Sequence, residues 1–119
     1  MLTTHGPTMR RGDIRWYRFS SPDKRRPVLI LGRDSLLRSV SEVPVIPFST
    51  QIRGLPWEVV LNPNEGLGVA SVLKAEWIRS VSARDLGPWI CTFPALRWDG
   101  VRVALVTALG LDAPLDPQV

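Results

Sequence analysis

The sequence predicts a mainly β fold: a small barrel of five or six short strands followed by one C-terminal α-helix. Three observations lead there. Between residues 13 and 81 the apolar residues alternate or fall in short runs, which suits strands better than globular helices. Eleven prolines and nine glycines punctuate those runs into turns. Only beyond Pro94 does the apolar spacing widen to that of a helix face. Short strands joined by regular turns are the pattern of a small barrel, which a helix can plug or flank.

Taken in order, Asp13 to Phe19 alternates, with Ile14 and Trp16 on the apolar side and Tyr17 on the wetter one. Ser20 to Arg26 is a polar, basic loop, and Val28 to Leu31 is a buried strand. Asp34 to Arg38 suits one helical turn with Asp34 as its N-cap. Val43 to Phe48 reads as a strand whose Pro44 and Pro47 mark edges or bulges. Trp57 to Leu61 is the next strand, and Asn62 to Gly66 a turn. Val69 to Leu73 and Trp77 to Val81 complete the strands, bridged by Lys74, Ala75 and Glu76. The closing helix starts near Pro94, turns Leu105, Ala108 and Leu109 to the core and ends at Gly110.

A chain of 119 residues makes one domain, expected over residues 11–111 with loose tails at 1–10 and 112–119. No apolar run reaches the roughly 18 residues of a membrane span. The N-terminus lacks the apolar core of a signal peptide, so a cytoplasmic location is expected. There is one histidine, His5 in the N-terminal tail, and one cysteine, Cys91, which reads as a small buried hydrophobe. Those counts exclude an internal disulfide, a two-histidine acid–base pair and a histidine-rich metal site. Chemistry must use Arg, Lys, Thr, Ser, Tyr or carboxylates, with no cofactor. The net charge of +4 is uneven: residues 1–53 hold ten Lys and Arg against four Asp and Glu. A basic half favours a polyanionic partner.

Three stretches, in order and at matching spacing, resemble the MazF/PemK toxins: Arg11-Gly12-Asp13-Ile14, then Arg26-Pro27-Val28-Leu29-Ile30-Leu31 with Asp34, then Val45-Ile46-Pro47-Phe48-Ser49-Thr50. Gly68 to Val72 and Trp77 to Val81 add weaker echoes. The resemblance implies an SH3-like, CcdB-like barrel. It also implies the toxin of a type II toxin–antitoxin system: a metal-independent, sequence-selective endoribonuclease acting on single-stranded RNA, messenger RNA above all. It places the catalytic pair at Arg26 and Thr50. Two segments depart from the family pattern and bear on RNA sequence and antitoxin fit. Ser20 to Lys24 replaces a Gly-Ser-Glu-type loop, and the C-terminal part carries Trp89, Trp98 and Gly100.

Metal-free cleavage uses the substrate's own 2′-hydroxyl, which attacks the neighbouring phosphate and expels the 5′-oxygen. The products are a 2′,3′-cyclic phosphate and a 5′-hydroxyl. The nucleophile is already beside its target, so the protein has to orient it and stabilise charge on the phosphate oxygens. A guanidinium fork such as that of Arg26 matches two of those oxygens. Pro27 keeps Arg26 extended and fixes its own φ at the strand start. Arginine is a poor proton donor, so the proton transfers fall to water or another group.

Thr50 ends an apolar strand, where its hydroxyl either donates to phosphate or caps a turn; Ser49 is the neighbouring rival. Lys24 and Arg25 add phosphate attraction or form a solvated charge run. Tyr17 is a candidate base-stacking residue, whereas Trp16 reads as core. Gln51 and Arg53 stand in the next loop as candidate base readers, and Glu58 reads as a strand-end surface carboxylate rather than a base.

The implied partners are RNA, a second copy of the chain, and a MazE-like antitoxin whose acidic disordered tail folds into the RNA groove. Two other functions fit the same fold. One is a CcdB-like, non-enzymatic toxin that binds DNA gyrase; the other is an RNA-binding barrel that leaves RNA whole.

Overall fold

The computed structural model describes residues 9–20 and 24–116. His5, the Ser21-Pro22-Asp23 part of the first loop and the last three residues lie outside it. Among the described residues seven strands are present: β1 (Asp13–Arg18), β2 (Arg25–Ile30), β3 (Glu42–Ser49), β4 (Glu58–Leu61), β5 (Ser71–Lys74), β6 (Arg79–Ser82) and β7 (Leu86–Thr92). The helices are a single turn, α1 (Asp34–Leu37), and α2 (Trp98–Leu109). Every strand pairing is antiparallel, in the order β4-β5-β3-β2-β1-β7, with β6 also on β3.

β3 organises the sheet by changing partner. Residues Glu42 to Val45 pair with β6, whereas Phe48 and Ser49 pair with β5. Between those partners the chain makes a 3-10 turn, Ala75–Trp77. Pro47 falls at the handover, where a residue with no N–H to give is tolerated.

β2 and β3 are buried on both faces, which explains why they read as continuous apolar runs. Leu29, Leu31, Ile46 and Phe48 point into the main core with Ile14, Leu61, Leu73 and Phe93. Val28, Ile30, Val43 and Val45 point the other way, into a second cluster with Phe19, Leu37 and Val81. Helix α2 covers the main core through Val101, Ala104, Leu105 and Ala108, a spacing that puts all four on one helical stripe. Gly110 ends it at a left-handed φ of 69°, which glycine adopts without a Cβ penalty.

The structure corrects the sequence expectations in several places. The sheet does not close: β4 and β7 stand at its two ends and are not paired with each other. β7 was not anticipated, because Gly87-Pro88 reads as a turn. It is nevertheless a strand on the outer edge of β1, with two register shifts. A Cβ at Gly87 would meet the Trp16 carbonyl oxygen at 3.0 Å, so glycine lets the two strands approach. Asp34 is the first residue of α1 rather than its cap; Arg33 holds the cap position. Leu109 turns outward, half exposed. Among the described residues no helix is long and apolar enough to cross a membrane.

Candidate active site

Arg26 is the second residue of β2, paired with Tyr17 of β1; Pro27 pairs with Trp16. On its other edge β2 meets β3 with Val28 opposite Pro47. Extending that register by two residues sets Arg26 level with Ser49, one residue from Thr50. The strand pairing therefore brings together two residues 24 positions apart in sequence. Both line one cavity of about 250 Å³, together with Trp16, Arg25, Ser49 and Ser71 among others.

A second cavity, of about 510 Å³, also borders Arg26 and is lined by Phe19, Arg26, Pro47, Trp77 and Arg79. Neither cavity has an Asp or Glu among its described lining residues. Their cations rest on aromatic faces: Arg25 is 4.3 Å from the Trp16 ring centre, Arg26 is 5.4 Å from Trp77, and Arg79 is 5.1 Å from Phe19. Guanidinium planes held on rings suit a ligand that carries negative charge beside flat, polarisable groups.

The two hydroxyls in question have different surroundings. The Ser49 side chain is buried, and its Oγ accepts the Gln51 N–H at 3.0 Å. That is the turn-capping contact which the sequence left open for Thr50. Thr50 itself is exposed at the cavity wall. Ser71 is also buried and donates to the Val69 carbonyl at 3.0 Å.

The other predicted positions divide. Arg25 lines the smaller cavity with Arg26 and Thr50. Trp16, expected in the core, is half-buried and lines that cavity too. Tyr17 faces the opposite side of β1, edge-on to Phe19 at 4.8 Å and packed on the second cluster. Lys24, Gln51 and Arg53 are exposed and line neither cavity. Trp77 and Arg79 were missed as site residues, because Trp77 to Val81 read as one strand and its first residue instead sits in a turn.

Glu58 is not a surface carboxylate: its side chain is 1% exposed and meets Lys74 Nζ, itself 3% exposed, at 2.6 Å. Oε1 accepts the backbone N–H groups of Arg53, Gly54 and Leu55 at 3.0, 2.9 and 3.4 Å. Burial pushes this carboxyl up, but the hydrogen bonds from Lys74 and the loop outweigh it and hold it below its ordinary value. The pair thus ties the loop after Thr50 to β4 and β5. Cys91 is half-buried against the main core, and burial pushes its thiol up, which disfavours the reactive thiolate. Among the described residues no group of three His, Cys, Asp or Glu side chains is placed to hold a metal ion.

Comparison with known proteins fits this geometry. The family profile described as PemK-like, MazF-like toxin of type II toxin–antitoxin systems matches residues 10–109. The chain belongs to that family. It is 34% identical over 90 residues to endoribonuclease MazF3 of Mycobacterium tuberculosis, covering 76% of this chain and 87% of the relative. Among solved structures, Mycobacterium tuberculosis toxin MazF-mt6 superposes with a TM-score of 0.75 at 31% identity, over 82% of this chain and 96% of that one. The MazE–MazF structure from Deinococcus radiodurans gives 0.74 at 27% identity, over 87% and 98%. The family's mainly β sheet with a C-terminal helix is the architecture described above.

Proposed function

We propose that this PemK/MazF-like toxin is a metal-independent endoribonuclease that cuts single-stranded RNA by attack of the 2′-hydroxyl on the adjacent phosphate. The observation that carries the reading is that Arg26 and Thr50 wall one cavity whose other charged lining residue is Arg25. In this reading the guanidinium of Arg26 takes two non-bridging oxygens, and the Thr50 hydroxyl donates to one of them. The 2′-oxygen bonds to phosphorus as the bond to the 5′-oxygen breaks. The 2′-hydroxyl proton passes to water and the 5′-oxygen receives one from water. Arg25 draws in the neighbouring phosphates, and Lys24 and Arg53 do so from the approach. The named endoribonucleases among the relatives support the activity.

The protein acts as a homodimer in the cytoplasm. It is neutralised by an antitoxin whose acidic tail competes for the same cationic walls, as the MazE–MazF complexes among its structural neighbours suggest. The test is purified protein with long single-stranded RNA in excess EDTA, beside Arg26→Ala. Discrete fragments with 5′-hydroxyl ends from the wild type, and none from the variant, are expected. Intact RNA across diverse templates would overturn the reading and favour a bound protein target such as gyrase.

A further inference from the structure

We propose that Trp77 is a nucleobase platform: the larger cavity takes one base of the RNA strand, next to the phosphate held at Arg26. The inference rests on the nuclease reading above. Arg26 is the one residue shared by the described linings of the two cavities, with Thr50 in one and Trp77 in the other. A phosphodiester has a nucleotide on each side. For a phosphate seated on Arg26 and Thr50, the Trp77 cavity is the neighbouring space, because the two cavities share Arg26.

The walls match a nucleotide. Trp77, Phe19 and Pro47 supply flat or apolar surface, and Arg26 and Arg79 supply positive charge. Single-stranded nucleic acids are held in this way, by stacked bases beside a cationic track. The volume of about 510 Å³ falls within the range of about 300–1,000 Å³ common for small-ligand clefts. Trp77 is 39% exposed, much for a side chain that buries well. It is also held: Arg26 and Lys74 lie 5.4 and 5.3 Å from its ring centre, and Ala75, two residues earlier in the same turn, is fully buried. A ring held by two cations and still 39% exposed is pre-ordered for stacking. Stacking accepts any base and favours the larger purine ring, so the platform contributes affinity and a mild base preference.

The experiment uses the full chain and a short RNA spanning a mapped cleavage site, made uncleavable by a 2′-deoxy substitution at the attacking nucleotide. Each nucleotide flanking the cut is replaced in turn by an abasic one. Trp77→Phe and Trp77→Leu are compared with the wild type, after thermal melting shows that they fold. Loss of the ring in Trp77→Leu is expected to weaken binding about 5- to 150-fold, and Trp77→Phe to recover much of it. One abasic substitution should weaken wild-type binding by a similar factor, and Trp77→Leu should then cost nothing further on that RNA. Equal losses on intact and abasic RNA would overturn the platform, as would no loss at all. So would a loss seen only with an acidic antitoxin peptide, which would assign the cavity to that partner. Wild-type protein that leaves the parent RNA whole sinks the nuclease reading; wild type and Trp77→Leu that bind and cut alike sink the platform alone.

Discussion

Two groups of cations in this protein have different neighbours. Around the two cavities Arg25, Arg26 and Arg79 lie on the rings of Trp16, Trp77 and Phe19. Away from the cavity walls, Lys74 is buried against Glu58, and Arg97 grips Glu65 at 2.8 Å. A ring orients a guanidinium plane, whereas a carboxylate neutralises the charge it meets. The first group lines the two cavities; the second ties distant segments of the chain together. Lys74 touches both, since its ammonium also lies 5.3 Å from Trp77.

The largest effect that tests this contrast is on the buried pair. Lys74→Met leaves Glu58 buried without its cation and should cost about 3 kcal/mol in urea unfolding. Combined Glu58→Leu and Lys74→Met should recover part of that loss, although three loop N–H groups then lose their acceptor. A single variant as stable as the wild type would show that the pair does not hold the loop. Arg26→Ala makes the opposite prediction: stability close to wild type, with kcat/KM for RNA down by about 10²–10³ or more. Equal damage to folding and cleavage would place Arg26 with the structural cations.

Acid sharpens the comparison further. The Glu58 carboxyl is held below its ordinary value of 4.5, so its contribution to stability is complete above that value. It is lost as the pH falls through the lower folded value. Lys74→Met should flatten this part of the stability–pH curve; an unchanged curve would move the acid sensitivity elsewhere. Arg97→Ala, which removes a partly exposed pair at the start of α2, should shift the urea midpoint less than Lys74→Met does. The smallest effect is a gain. A Cβ at Gly100, in the first turn of α2, meets only Val59 methyls at 3.9 Å, so Gly100→Ala should stabilise by about 0.5–1 kcal/mol. A loss there would mean that α2 packs more tightly than that distance allows.

How much of this was legible in sequence depended on distance along the chain. β2 and β3 announced themselves because their side chains are buried on both faces, so burial wrote an apolar run into each. β7 hid because Gly87-Pro88 has the chemistry of a turn, and only the close approach to Trp16 explains that glycine. Arg26 and Thr50 stood out through family resemblance. Their shared cavity comes from a strand register that neither residue encodes alone. Glu58 read as a surface charge because its partner lies 16 positions away, and nothing local signals burial. Trp16 borders the smaller cavity and Tyr17 packs on the second cluster: alternation separated their faces correctly but could not tell which face would border the cavity.

The pairing of β1 with β7 also sets a clock. Arg15 donates to the Gly87 carbonyl across 72 positions of sequence, and β7 supplies Ile90 to the wall of the cavity that holds Arg26 and Thr50. On the ribosome β1 emerges long before its outer neighbour exists, and until then that edge has no strand beside it. The cavity is completed only when β7 has been made. A chain stopped before β7 therefore lacks one wall of that cavity.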